Sequence, residues 1–366
     1  MKTFTRALAL ALLASAACIP TTSAAPERFK IRLAPMPGIG HLVPELAMGL
    51  GYFDKEGIDV ELVNVMNYRD DDFYSTELLN DGTMDAEICW YQRVVFGIGN
   101  GQPAQAVLLI ENSPHLTISV ANRLKDQIRT VADFKGRIIA DSEGFSTRRY
   151  LTDTVLERAG LTPADYTPAP GELSQKLPLL TKALQAGQVD IVACMEPMMT
   201  GLKATNLVTP LFDLTTAEGT KSTLGEVWPA RCLYLSPSYI RDHPDRVQRL
   251  VNVFVRTMRF IDTHSAQEIV ARMPAGYFAP DVDNDLWTAY KASKTNEIAK
   301  VLPGMAHGDY SIPPSAAQFA CDVLFHTAFD DSPEGKYRRA AAQSGKVRPE
   351  MTYDNRFVEQ AMKEIP

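Results

Sequence analysis

The chain has 366 residues, 45% of them hydrophobic and 22% charged, with 22 Gly and 24 Pro. This ordinary globular composition excludes a disordered chain, a collagen-like repeat and a disulfide-dense miniprotein, and the length fits two domains rather than one core. Lys and Arg number 37 against 44 Asp and Glu, so the concentrated basic surface that nucleic acid requires is missing, although a local pocket for an anion is not excluded.

Residues 1–25 read as a secretory signal. Lys2 and Arg6 are followed by the apolar run Ala7–Ala17 and then by small residues, with cleavage expected after Ala24 or Ala25. That run is too short to span a bilayer as a mature helix, and no later segment approaches the roughly 20 apolar residues that would. Removing the signal leaves 35 bases against 44 acids, a net charge of −9. Lipoprotein processing at Cys18 is the competing reading, although Ser15-Ala16-Ala17-Cys18 lacks the usual large aliphatic residue three positions before the cysteine.

Beyond the signal, Phe29, Ile31 and Leu33 alternate into a strand that Pro37-Gly38-Ile39-Gly40 breaks. A helix is expected from about Leu42 to Lys55, with Pro44 tolerated in its first turn, then a strand through Ile58, Val60 and Leu62. Further strands are expected at Asp85–Cys89, Ala106–Ile110, Thr117–Val120, Arg137–Ala140, Asp190–Cys194 and Cys232–Leu235. Between them, Ser146-Thr147 opens a helix to about Ala159, and Thr167-Pro168-Ala169-Pro170-Gly171 reads as a loop. After Asp242-His243-Pro244, a helix carries the core-facing stripe Val247, Leu250, Val251, Phe254, Met258 and Ile261. The tail from about Asp330 reads as one or two surface helices. Alternation of strands and helices defines an α/β chain.

Enzyme signatures fail in turn. Gly144-Phe145-Ser146-Thr147-Arg148 lacks the second glycine of a nucleophile elbow, and Gly38-Ile39-Gly40 is a lone GxG. Asp281, Asp283 and Asp285 open like a calcium loop, but Leu286 and Ala292 stand where Gly and Glu are needed. The six histidines show no HxH or HExxH spacing, so no catalytic, metal or cofactor site is expected. Cys89, Cys194, Cys232 and Cys321 form no CxxC. Export permits disulfides among them in three pairings, and burial as small hydrophobes is the alternative.

In open α/β sheets ligands bind at the C-terminal strand ends. Those turns here are Pro35–His41, Trp90-Tyr91, Asn112–His115, Ser142–Thr147 and Met195-Glu196-Pro197. Ser146-Thr147 combines hydroxyls, free N–H groups and a helix N-terminus, a site for an anion or a carbonyl, and Ser146 can cap the helix as well. The dipole gives about 0.3–1 kcal/mol, against about 8 kcal/mol for micromolar binding, so other groups must supply most of the affinity. Trp90, Tyr91, Phe145 and Trp228 fit either an aromatic-lined cleft or the core. Arg148, Arg149 and Arg231 are counter-charge candidates, with a solvated surface position as the plainer reading. Glu196 fits either a ligand amine or hydroxyl, or a turn anchor.

Gly51-Tyr52-Phe53-Asp54-Lys55-Glu56-Gly57-Ile58-Asp59-Val60-Glu61-Leu62 resembles a segment of the periplasmic solute-binding proteins of ABC transporters, nitrate/sulfonate/taurine type, related to the thiamine-pyrimidine-precursor-binding group. Val131-Ala132-Asp133-Phe134-Lys135-Gly136-Arg137 is similar to that family's entry to its second lobe, and Gly144-Phe145-Ser146-Thr147 to its ligand turn. Ala183–Asp190, followed by Glu196-Pro197, is similar to a further element, and the similarity runs from about Arg28 to His264.

The resemblance implies a type II-like two-lobed α/β fold, two mixed sheets flanked by helices with a cleft between the lobes. Lobe 1 would comprise 26–120 and 228–366 and lobe 2 residues 121–227, with crossings near Val120–Arg123 and Val227–Leu235. It implies a periplasmic, non-enzymatic monomer that captures a small organic solute, an anion such as a sulfonate or carboxylate, aromatic groups included. An inner-membrane ABC permease would be its partner, with no nucleic acid. Ligand contacts carried over by position are Gly38, His41, Trp90, Tyr91, Ser146, Thr147, Glu196, Trp228 and Arg231. A sensory module for a chemoreceptor or sensor kinase shares the same implied fold. The related pyrimidine synthases use a cysteine-rich motif and a lysine-bound cofactor, and Ile88-Cys89-Trp90 and Ala193-Cys194-Met195 show no cysteine run.

Overall fold

The computed structural model describes residues 27–36, 38–65, 75–142, 146–174, 176–196, 198–274, 294–326 and 333–365. The expected signal, Cys18, Phe145 and Asp281–Asp285 lie outside the described residues. Ten strands form two five-stranded mixed sheets, one in the order β2-β1-β3-β10-β4 and the other β7-β6-β8-β5-β9.

In the first sheet β1 (Phe29–Pro35) buries Phe29, Ile31 and Leu33 and exposes Lys30, and it runs parallel to β2 (Ile58–Leu62) and β3 (Ala86–Trp90). β3 and β4 (Gln105–Glu111) read as unbroken buried runs rather than alternating ones, β3 because it is an inner strand and β4, at the sheet edge, because the C-terminal segment pairs along it at Ala106. β10 (Arg231–Leu235) enters antiparallel between β3 and β4 and makes the sheet mixed.

The second sheet is built from β5 (Leu116–Ala121), β6 (Ile138–Ala140), β7 (Thr167–Pro168), β8 (Ile191–Met195) and β9 (Val208–Leu214). β5 is antiparallel to β8 and β9, while β6 is parallel to β7 and β8. β9 was not expected from the sequence. Its Pro210 argues against a central strand, and β9 sits at the sheet edge, where a missing N–H is tolerated. β7 occupies the opposite edge and takes two residues from the segment read as a loop.

β5 pairs within the second sheet, so the chain changes sheet at residues 112–115, one strand before the expected crossing at Val120–Arg123. It returns between β9 and β10. The helix expected over Leu42–Lys55 is also divided, into α1 (Leu42–Gly49) and a turn at Tyr52–Lys55. Gly51 takes φ 69° between them, a left-handed conformation that a side chain would strain.

Continuing in chain order, α2 (Tyr91–Gly99) and α3 (Thr147–Arg158) follow β3 and β6, and α4 (Met198–Ala204) follows β8. α5 (Pro244–Thr263) buries the whole expected stripe from Val247 to Ile261, and its Phe254 meets Phe53 edge-on at 6.0 Å. α6 (Pro314–His326) precedes the tail, which forms α7 (Pro333–Gln343) and α8 (Arg356–Glu364). The tail is more than a surface wrap. Phe357, Val358 and Ala361 are buried, and Ala106 of β4 exchanges backbone hydrogen bonds with Thr352 and Asp354 at 2.9 and 2.8 Å.

Cys89, Cys194, Cys232 and Cys321 are all free and buried. Burial pushes the Cys194 and Cys321 thiols up to about 12. At the end of α5, Asp262 accepts hydrogen bonds from His307 and from the Tyr310 hydroxyl, each at 2.5 Å. The bond to Asp262 raises the His307 pKa. Its stabilising contribution is therefore complete below about pH 6.5 and is lost as pH rises through the raised value. We expect the Tm gap between wild type and His307→Gln to be widest below about pH 6.5 and to narrow as the pH rises above it. Thermal denaturation from acid to alkaline pH checks it, and a gap independent of pH would exclude the ion pair as its source.

Candidate functional site

The β3 and β4 ends and the β10 start converge, since Arg231 lies opposite both Trp90 and Glu111. Only 112–115 separate Glu111 from the start of β5, where Leu116 faces Met195 of β8 and Leu214 of β9. The strand ends of the two sheets therefore meet at one junction.

On the first-sheet side Arg231 is ion-paired with Glu111, the two being 2% and 1% exposed. Its guanidinium also lies 4.7 Å from the centre of the Trp90 ring, a cation–π contact that fixes the indole. Burial raises the Glu111 pKa, but Arg231 and His115 outweigh it, and the net shift is downward. His115 Nε2 stands 3.5 Å from Glu111. His115 takes φ 53°, and a Cβ on Gly304 would come within 2.2 Å of its ring, so glycine is the residue that lets the 302–304 turn cover the imidazole. Across the junction, the His115 carbonyl accepts from the Glu196 N–H at 3.1 Å, and the Glu196 carboxylate accepts from the Thr200 N–H of α4 at 3.0 Å.

On the second-sheet side Ser146 precedes α3 in extended conformation (φ −136°), and its hydroxyl makes no capping bond. The next hydroxyl, on Thr147, donates to Gln92 Oε1 on α2, a buried bond from one sheet's helix to the other's. Arg148 stands 3.1 Å from buried Asp141 and donates to Ser174 Oγ at 3.2 Å. Burial raises the Asp141 pKa, with Arg148 opposing it.

Trp90, Arg231 and Glu196 are thus brought to the junction with Ser146 and Thr147. His41 follows the 38–41 turn beyond β1, its Nδ1 3.3 Å from Glu45, and Gly38 opens that turn. Tyr91 and Trp228, expected as cleft aromatics, are packed in the interior. The Tyr91 hydroxyl bonds Thr352 of the tail, and Trp228, 1% exposed, meets Phe319 edge-on at 6.1 Å. Arg148 and Arg231 are not solvated, because each meets a buried carboxylate, Asp141 just before α3 for Arg148 and Glu111, 120 residues earlier, for Arg231. Glu111, Gln92 and Asp141 were not singled out as site residues, whereas His115 closes the expected turn Asn112–His115. The one available signal was a charged residue closing the apolar run Ala106–Ile110.

Two α/β sheets meeting at their strand ends, joined by a short link, define the architecture of the two-lobed periplasmic binding proteins. The chain belongs to the NMT1/THI5-like family, whose sequence profile matches residues 41–267. It is similar in structure to the periplasmic aliphatic sulphonate-binding protein SsuA of Escherichia coli, with TM-score 0.56 and 18% identity over 82% of this chain and 87% of that one. The periplasmic nitrate-binding protein NrtA of Synechocystis gives TM-score 0.56 and 12% identity over 93% and 90%. The desulfurization enzyme DSZB gives 0.57 and 15% over 93% and 100%. At these identities the likeness shows the fold. No curated protein matches the sequence.

Proposed function

We propose that the protein is the substrate-binding component of an ABC importer, capturing a small organic solute between its lobes and presenting the closed form to a membrane permease. The observation that carries this reading is the junction itself, where Trp90 and Arg231 from one sheet stand with Ser146 and Glu196 from the other. A ligand touching both sides stabilises the closed arrangement in proportion to its preference for it. Among the described residues no helix is long and apolar enough to cross a membrane. On this reading the sequence of residues 1–25 directs export, and the protein acts in the periplasm as a monomer, its lobes dividing at 112–115 and after residue 224. Cys194, Cys232 and Cys321 are buried with raised pKa values, which makes them poor nucleophiles and supports a binding rather than a catalytic role.

Thermal shift across a panel of metabolites tests the reading. A ligand at one hundred times its Kd adds about 2.7 kcal/mol of stability. A folded protein that no member of a broad panel shifts would overturn it. Ser146→Ala should weaken binding of the ligand so found by roughly 1–3 kcal/mol, because the ligand group that bonds the Ser146 hydroxyl, which is free of any capping bond, then loses its partner. Unchanged affinity in calorimetry would remove the hydroxyl from the site.

A further inference from the structure

Four cysteines in an oxidising compartment allow three pairings, and the sheet register singles out one contact among them. Cys232 of β10 stands directly opposite Cys89 of β3 in an antiparallel ladder. Side chains of directly opposed residues leave the sheet on the same face, and the Cys232 thiol lies 3.9 Å from the Cys89 carbonyl oxygen. Opposed Cα atoms in such a ladder are about 4.5–5.5 Å apart, inside the roughly 4.4–6.8 Å that a disulfide spans. Their Cβ atoms, about 4.5–5.5 Å apart, must close to about 3.5–4.5 Å. β10 has the slack for that approach, because its register against β4 shifts between Arg231 and Cys232. Cys194 of β8 faces Thr117 of β5 in the second sheet, and Cys321 lies on α6, so neither has a cysteine opposite it in a ladder.

We infer that Cys89 and Cys232, thiols in this structure, are a disulfide-forming pair that staples β10 to β3 when the chain folds in the presence of a disulfide oxidant. Where that oxidant is met rests on the export reading above; the pairing rests on the register. Cys89 is 1% and Cys232 0% exposed, so both are out of an oxidant's reach once β10 has inserted between β3 and β4. Attack therefore precedes insertion. One thiolate of the pair attacks the oxidant's disulfide and releases its first thiol, and the other cysteine then displaces the second. Two cysteine thiols become one disulfide, and the two electrons and two protons they give up leave on the oxidant as two thiols. The bond joins residues 143 apart in the chain. It lies one register step beneath Trp90 and Arg231, and so fixes the spacing of the two strands that carry that wall of the site.

Refolding the reduced full chain with reduced glutathione alone, or with oxidised glutathione added, tests it. Remaining thiols are alkylated in denaturant, and the cysteine peptides are mapped by mass spectrometry without reduction. With oxidised glutathione, the Cys89 and Cys232 peptides should be recovered joined, two hydrogens lighter than their sum, and Cys194 and Cys321 should be alkylated. The linked protein should melt roughly 3–7 °C above the reduced one. Cys232→Ala should return Cys89 to the alkylated set and abolish that rise. Alkylated Cys89 and Cys232 in folded, oxidant-treated wild type, or a link from either to Cys194 or Cys321, overturns the inference and leaves the solute-binding reading intact. A Cys89–Cys232 link that leaves Tm unchanged overturns the staple.

Discussion

Glu111→Ala should lower the unfolding free energy by about 3–5 kcal/mol, because it leaves the Arg231 guanidinium buried with no counter-charge. Arg231 is 2% exposed and cannot swing into water without dragging β10 from between β3 and β4. The loss should come from the stranded charge rather than from the missing pair. Replacing both partners together, Glu111→Leu with Arg231→Met, should therefore recover most of it. Urea unfolding followed by circular dichroism, extrapolated linearly to water, measures both variants. A double variant as unstable as the single one would show that packing, not charge, is at stake. The pair also has a pH signature. The Glu111 pKa is depressed in the fold, so its contribution is present above the unfolded value of about 4.3 and is lost as pH falls through the lower folded one. Asp141 works in the opposite sense. Its pKa is raised, so deprotonation on the way to neutral pH costs stability in the fold.

Most of the sheet framework was legible because buried strands and amphipathic helices are local patterns. Phe29, Ile31 and Leu33 announce β1, and the stripe from Val247 to Ile261 announces α5, whatever surrounds them. What was not legible depends on partners remote in the chain. Pro210 looks like a loop signal until β9 is known to be an edge, and Leu116–Ala121 carries no mark of which sheet it joins. The site divides in the same way. Trp90, Ser146 and Glu196 follow from the rule that strand ends bind ligands. Glu111 could be understood only once β10 had been seen to return beside it, 120 residues later, with Arg231. Thr147 was expected to face a ligand, and its bond to Gln92 was not foreseen, because helix packing across the junction determines where that hydroxyl points.

That packing leads to the second large effect, at Phe96. Its ring is fully buried on α2 and meets Tyr150 of α3 at 6.5 Å, Phe325 of α6 at 6.2 Å and Tyr337 of α7 at 6.5 Å, each edge-on. The Arg338 guanidinium lies 4.0 Å above Tyr150 and 5.9 Å from Phe96, so the tail clamps a second-sheet helix onto a first-sheet one. Phe96→Ala should cost about 3–5 kcal/mol, the usual range for opening a cavity of that size. Phe254→Ala should cost a similar amount, but Phe254 packs on Phe53 within the first-sheet half. The two variants therefore separate stability from coupling. Hydrogen exchange of the α3 amides should accelerate in Phe96→Ala at conditions where the molecule as a whole stays folded, and should follow only global unfolding in Phe254→Ala. Equal α3 protection in the two variants would mean that its other contacts, the Thr147–Gln92 bond and the Arg148–Asp141 pair among them, suffice to hold α3 in place. Faster exchange in Phe96→Ala would identify the aromatic cluster as the contact about which the two halves of the molecule must move when the cleft opens.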